Sequence, residues 1–353
     1  VGLGPAVSIS SGWDFTCALT VAGAVKCWGE NAGGALGDGS TMDSPVPVDV
    51  VGMSSGVVAI SAGEATACAL TTGGAVKCWG ANTQGQLGDD TTTDSPIPVD
   101  VAGLGSGVVA ISAGYWSTCA IIAGGTVKCW GSSQQAHPGE GVPTADDLTP
   151  VDVTGLPSNI SSLSVGAWQT CVLTTTGGVK CWGGNGYGQL GNGSTADSHV
   201  PVDVVGLSSG VVAISAGYYN TCAVTVAGAV KCWGEPITAS PPDDVPVDVP
   251  GLSSGFLMVS TGDSCMCAVA TTGGVKCWGL NWHGALGDGS TASSVTPVDV
   301  VGLSSAVQVS TGVGHTCALM ADGTVKCWGR NNHGQLGNGS TTESHVPVDV
   351  VGL

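Results

Sequence analysis

A seven-bladed β-propeller, all-β, with four antiparallel strands and one hairpin disulfide per blade, is the fold this sequence predicts. Three observations carry the prediction. A core reading C-A-L-T-x-x-G-x-V-K-C-W-G, first at 17–29, recurs seven times, with its tryptophan at 28, 79, 130, 182, 233, 278 and 328. Fourteen of the 15 cysteines form pairs ten positions apart. Short β-branched or proline-bearing runs flank each core. The tryptophans step by 51, 51, 52, 51, 45 and 50 residues, and a period near 50 marks an array of one supersecondary unit. The array overrides the two domains that length alone suggests. One propeller is expected over 1–353, with copies at about 1–50, 51–101, 102–153, 154–204, 205–249, 250–300 and 301–353.

The first strand of each unit is the V-V-A-I-S-A-G run at 57–63, 108–114 and 211–217, β-branched and bounded by glycine. In a propeller it is expected innermost. The next two strands form a hairpin. If Cys17 faces Cys27, then Ala18 faces Lys26, Leu19 faces Val25 and Thr20 faces Ala24, which leaves Val21-Ala22-Gly23 as a three-residue loop. Such loops want a residue of positive φ at the third position, and that position is glycine in all seven copies: 23, 74, 125, 177, 228, 273 and 323. Directly opposed residues in a non-hydrogen-bonded pair lie within disulfide range. The bridges expected are therefore Cys17–Cys27, Cys68–Cys78, Cys119–Cys129, Cys171–Cys181, Cys222–Cys232, Cys267–Cys277 and Cys317–Cys327. The last strand, P-V-P-V-D-V at 45–50, carries prolines that a central strand does not tolerate, so it belongs outermost.

Zinc is the rival reading of the cysteines, but it needs closely spaced pairs that converge two by two, and no histidine keeps a fixed offset here. Seven bridges point instead to an oxidising compartment, extracellular or at the cell surface. Formal net charge is −18. The chain has seven lysines, all at one repeat position, and one arginine, so no basic patch exists to neutralise phosphates and nucleic acid is excluded as a partner. No apolar run reaches the length of a membrane span, so no membrane insertion is expected. The start at Val1-Gly2-Leu3, in mid-repeat, reads as processed or trimmed.

Between the third and outer strands runs N-x-x-G-Q-L-G-D-G-S-T, as at 82–92 (with Asp90 at a glycine position) and 331–341. Together with A-G-x-x-x-T-C-A-L it resembles the repeat of the regulator of chromosome condensation family, along essentially the whole chain. The resemblance implies a seven-bladed propeller. It implies little about activity, because that family includes nuclear exchange factors, bacterial β-lactamase-inhibiting proteins and many secreted proteins. Disulfides and an acidic surface set this chain apart from the nuclear members and align it with secreted, bacterial-type ones. Two copies depart from the pattern: the third replaces the loop with residues 132–140, and the fifth shortens it to 235–242, each a candidate notch in the rim.

Some repeated residues have an economical structural reading. Each copy holds one lysine before its second cysteine and one aspartate in P-V-D-V, Lys26 and Asp49 in the first, which reads as a register-setting ion pair. The framework tryptophan reads as packing between blades. Asp38–Asp43 lacks the ligand spacing of a calcium loop and reads as a turn. No metal and no cofactor are expected.

The candidate binding site is the stretch between the inner strand and the first cysteine, whose first three positions change from copy to copy. They are Trp13-Asp14-Phe15, Glu64-Ala65-Thr66, Tyr115-Trp116-Ser117, Ala167-Trp168-Gln169, Tyr218-Tyr219-Asn220, Asp263-Ser264-Cys265 and Val313-Gly314-His315. Of ten aromatics outside the framework, seven fall here. All seven turns should crowd one face beside the axis, and clustered exposed aromatics mark a binding site unless they plug the channel. A second variable loop, with Tyr187 and Trp282, widens the patch if it reaches the same face.

The function expected is a secreted, non-catalytic protein that binds a protein partner through Trp13, Asp14, Phe15, Glu64, Tyr115, Trp116, Trp168, Gln169, Tyr218, Tyr219, Asn220, Asp263 and His315. A carbohydrate is the alternative ligand, aromatic faces stacking on sugar rings while Asp14, Glu64, Asn220 or Asp263 accepts hydroxyl bonds. Loops that do not repeat favour one asymmetric partner. A structural surface-layer module is the third reading. No nucleophile elbow or acid–base pair is fixed by spacing, so no enzyme is expected. Cys265, the fifteenth cysteine, is expected as a free thiol on the variable face or as a link to another chain. How the ring closes is left open.

Overall fold

The computed structural model describes residues 4–133, 139, 145–235, 242–263 and 265–353. In the first blade, β1 (Ala6–Ser11), β2 (Phe15–Thr20), β3 (Val25–Gly29) and β4 (Ser44–Asp49) are hydrogen-bonded antiparallel in chain order. Six further four-stranded sheets repeat that order. The seventh blade is completed by its own outer strand, Ser344–Asp349, and among the described residues no strand crosses the seam to the first blade.

The hairpin has the register its cysteine spacing dictates: Cys17 opposes Cys27, Ala18 opposes Lys26 and Leu19 opposes Val25. Gly23 turns it with φ of 76°, and a Cβ there would also lie 2.9 Å from the Gly56 nitrogen of the next blade. All seven disulfides form inside their own blades, with Cα atoms 4.1 Å apart in the first. Lysine and aspartate meet across the third and outer strands, Lys26 Nζ lying 2.8 Å from Asp49 Oδ1. The Asp49 side chain is 71% exposed, so each pair is worth at most about 1 kcal/mol and acts mainly on register.

Blades pack disulfide face to tryptophan face. Cys17, Cys27 and Leu36 of the first blade cover Trp79 of the second, and Cys317, Cys327 and Leu336 of the seventh cover Trp28 across the seam. Each indole N–H needs an acceptor in this dry setting. Trp79 Nε1 donates to the Ala35 carbonyl at 2.9 Å, and Trp28 Nε1 to Gln335 at the same distance. Buried Asn31 holds that loop in place: its Oδ1 accepts from Leu36 N at 2.9 Å while Nδ2 donates to the Met42 carbonyl at 3.0 Å. Asp38 and Asp43 bond the loop's own backbone, Oδ1 of each accepting from Ser40 N and Asn31 N at 2.9 Å.

Around the axis, two rings join the blades. One serine per inner strand accepts a backbone N–H from the neighbouring inner strand. Ala62 donates to Ser10, Ala113 to Ser61, Val165 to Ser112, Ala216 to Ser164, Thr261 to Ser215, Thr311 to Ser260 and Ser11 to Ser310, over 2.8 to 3.1 Å. Just beyond, Gly12, Gly63, Gly114, Gly166, Gly217, Gly262 and Gly312 form a collar. A Cβ on any of them would sit 1.9 to 2.5 Å from the carbonyl oxygen of the next. Seam and interior junctions are built alike.

Candidate binding face

Each collar glycine is followed by a two-residue turn: Gly12 N–H donates to the Phe15 carbonyl at 2.8 Å. That leaves only the first two variable positions at the mouth of the channel. The next blade braces them, as where Tyr115 N–H reaches the Gly166 carbonyl at 3.4 Å and Tyr218 N–H reaches Gly262 at 3.3 Å.

Here seven rings from four blades form one connected cluster. Tyr115 is its hub, with ring centroids 5.5 Å from Trp13, 5.8 Å from Trp116 and 5.0 Å from Tyr218. Trp168 stands edge-on to Trp116 at 5.5 Å and stacks on Tyr219 at 6.1 Å with 13° between planes. Tyr218 meets Tyr219 at 4.4 Å, and Tyr187, from the loop after the framework tryptophan, meets Tyr219 at 4.5 Å. Both variable loops therefore reach one face. Trp282, on the sixth blade, is 71% exposed and stands apart from the cluster.

The cluster both plugs and presents. Tyr115 caps a channel of about 170 Å³ lined by the serine ring, and burial pushes its phenol well above the ordinary pKa. Trp13, Trp116, Trp168, Tyr218 and Tyr219 are half-buried, each keeping part of its ring in water. Trp168 Nε1 is buried with no hydrogen-bond partner.

The third variable position behaves differently from the surface loop expected. Phe15, Gln169, Asn220 and His315 open the second strands of their blades and are 1%, 0%, 7% and 0% exposed. They point into the junction with the next blade. Phe15 packs with Ala67 in the first core cluster, and Gln169 Nε2 donates to the Asn220 carbonyl at 2.9 Å. His315 Nε2 lies 2.9 Å from Thr16 Oγ1 across the seam. Burial pushes its pKa down to about 3, so it is neutral. Cys265 holds the same position in the sixth blade. It is a free thiol, as expected, but buried rather than on the face, which leaves it unable to link another chain. Its sulfur lies 3.9 Å from Thr316 Oγ1, and burial raises its pKa to about 11.

Among the carboxylates, Asp14 is turned inward. It is 5% exposed and accepts from Arg330 Nη1 at 3.0 Å and Gln335 Nε2 at 2.7 Å, both from the seventh blade. Burial outweighs that pairing and its pKa is raised. Asp263 is half-buried at the sixth blade's turn. Glu64 is half-buried too, and desolvation with the nearby Glu30 charge raises its pKa to about 7. The folded chain thus holds this proton more tightly than the unfolded chain, whose Glu titrates at 4.5. The stabilisation is fully present below pH 4.5 and is lost as pH rises through about 7. Glu64→Gln is expected to flatten the fall in melting temperature between about pH 5 and about pH 8; parallel slopes for both proteins would show the carboxyl is solvated.

Of the two departing loops, residues 134–138, 140–144 and 236–241 lie outside the described residues, as does Ser264. The fifth blade still leaves a visible mark. Cys232 is half-buried, whereas the matching Cys27, Cys78, Cys129, Cys181, Cys277 and Cys327 are at most 1% exposed. Accessible bridges exchange first. Under limiting reductant Cys222–Cys232 is expected to open before the other six, read by alkylation and peptide mapping; simultaneous opening would refute this.

The model of the regulator of chromosome condensation (RCC1) repeat matches residues 22–70, 74–121, 176–224, 272–319 and 322–353. A second model of that repeat matches 6–34, 57–86, 108–135, 160–189 and 306–335. The Arabidopsis thaliana ultraviolet-B receptor UVR8 is 32% identical over 65% of this chain, and the aligned part is 53% of the receptor. The Homo sapiens E3 ubiquitin-protein ligase HERC2 is 32% identical over 65% of the chain, which is 5% of the ligase. The chain thus spans about half, or far less, of these relatives. Among solved structures, Prp20p from Saccharomyces cerevisiae superposes with a TM-score of 0.80 at 20% identity, covering 94% of this chain and 87% of that one. Human WBSCR16 gives 0.78 at 22% identity, covering 88% and 85%. These likenesses concern the fold.

Proposed function

The chain belongs to the regulator of chromosome condensation (RCC1) repeat family, and we propose that it is an extracytoplasmic, non-catalytic member that holds a protein partner on the face bearing the aromatic cluster. The carrying observation is that cluster. Seven touching rings, most of them half in water, bring large apolar area at small rotamer cost, which is the composition of interface hot spots. Seven disulfides support an oxidising location. No helix among the described residues is long and apolar enough to cross a membrane. Protein ligands also fit the fold's wider use: Prp20p has been studied for its binding to Gsp1p and histones, and was solved with Kap60 bound.

The site proposed comprises Trp13, Tyr115, Trp116, Trp168, Tyr218 and Tyr219 with Tyr187 beside them, edged by Glu64 and Asp263. Phe15, Gln169, Asn220 and His315 support it from below, and Asp14 anchors the first turn to the seventh blade. The test compares the chain with a Trp116→Ala/Tyr219→Ala double variant as baits for extracellular proteins of the source organism, with a glycan array in parallel. A protein retained by the parent and lost by an equally folded variant is the expected result. Variant-sensitive glycan binding without a protein would replace this reading with the carbohydrate one. Partners retained equally by both would mean the wrong face.

A further inference from the structure

At the end of the propeller opposite the aromatic cluster, every inner strand begins with a one-residue β-bulge. Where Ala6 opposes Thr20 and Ser8 opposes Leu19, Val7 is left without a facing residue, and the same slip recurs in the other six blades. A bulge re-aims a side chain, and here it turns the extra residue to water. Val7, Val58, Val109, Val212, Leu257 and Val307 hold this position and are 50–58% exposed. The fourth blade has Ser161 instead, whose hydroxyl donates to the Leu173 carbonyl at 3.0 Å. Between neighbouring bulges sits the hairpin turn of the preceding blade, as where the Gly23 carbonyl accepts from Val57 N–H and the Gly74 carbonyl from Val108 N–H, both at 3.1 Å. Val58, Val109 and Ala123 line one open groove of about 520 Å³ across such a turn. Val21 and Val226, in the first and fifth turns, are more exposed still. An apolar ring thus surrounds this mouth of the channel.

We propose that this ring is the contact between two copies of the chain, paired end to end about a twofold axis. Repetition is the first argument. The aromatic end varies from blade to blade and suits one asymmetric partner, whereas this end repeats one aliphatic residue six times, and a second ring of the same kind is its natural complement. Charge is the second. The seven lysines at this end are each paired with an aspartate. Of the other described carboxylates, all but Asp322 lie in loops or at the starts of outer strands at the aromatic end. With a net charge of −18 per chain, pairing through the balanced end keeps the acidic ends apart. Strands of six residues make each propeller about 20 Å deep, so those ends stand about 40 Å from one another, well beyond a screening length of about 8 Å. A lipid surface is a poorer match: no lysine is spare for anionic headgroups, and among the described residues no exposed aromatic ring lies at this end to anchor in an interface. Pairing in this way leaves both aromatic faces open, directed oppositely.

Sedimentation velocity of the full chain over a concentration series tests this. A monomer–dimer equilibrium at micromolar concentration is expected, little changed by salt. The informative variant is Val58→Ser/Val109→Ser/Val212→Ser, because the fourth blade already folds with serine at that position. It should melt like the parent and dimerise about tenfold or more weakly. Ser161→Val, which completes the ring, should tighten the dimer. The Trp116→Ala/Tyr219→Ala variant should dimerise like the parent, which separates this end from the aromatic face. Flotation with phosphatidylcholine vesicles runs in parallel. A chain that stays monomeric at every concentration, a dimer that survives the triple serine variant, or one that needs the aromatic pair would overturn the proposal. Monomers captured by vesicles and released by the serine variant would assign the ring to lipid instead.

Discussion

Full reduction of the seven disulfides is expected to unfold this propeller at temperatures where the oxidised chain is native. Each bridge closes a loop of ten residues, which in the entropic account is worth somewhat under about 3 kcal/mol. Seven of them approach about 20 kcal/mol, against a net stability of about 5–15 kcal/mol for an ordinary domain. Even at a third of that worth, the sum of about 6–7 kcal/mol exceeds the low end of the range. In a repeat array stability is a sum over units and junctions, and reduction weakens every unit at once. Melting followed by circular dichroism should drop by about 10 °C or more after complete reduction. A reduced chain that still melts cooperatively within a few degrees of the oxidised one would show that the junctions alone suffice. The expected outcome accords with a home outside the reducing cytosol.

Gly63→Ala is expected to be among the most damaging single methyl groups in the chain. Its Cβ would stand 1.9 Å from the Gly114 carbonyl oxygen, and both atoms belong to backbone held by the collar and the serine ring. No side chain can swing aside, so the blades themselves must part. Overpacking typically costs about 1–3 kcal/mol, and here it lies at the upper end because it breaks at least one junction of a closed ring. Gly105→Ala is the control, because nothing lies within 4 Å of the added carbon. The collar variant should lose several degrees of melting temperature or fail to fold, while the control melts like the parent. Equal melting of the two would mean that the collar has slack.

The hairpin is legible in the sequence because two independent demands, a cysteine spacing of ten and a glycine at the third loop position, admit one register. The aromatic cluster is legible because its residues stand out against a constant framework. Phe15, Gln169, Asn220 and His315 are harder to place. Counting residues between glycine and cysteine treats them as loop, whereas the turn takes only two residues and the strand begins at the third. One signal is present: the framework threonine becomes Ala67 where the preceding blade carries Phe15, a large residue matched by a small one across a junction. The Asp14–Arg330 pair joins positions 316 apart, and no local pattern announces it. The short step of 45 residues points to the fifth blade, but the exposure of Cys232 in its disulfide follows only from the structure.

Every covalent cross-link among the described residues lies within a blade and none spans two, so the ring has stiff tiles and non-covalent seams. Pulled from its ends, it should part at the seams, one blade at a time. Each freed blade would still withhold the residues locked inside its own bridge. At about 3.3–3.6 Å per residue, ten residues hidden behind Cα atoms 4.1 Å apart shorten every step by about 30 Å. The molecule is in this sense a string of seven knots: extensible between them, and inextensible through them for as long as the surroundings stay oxidising.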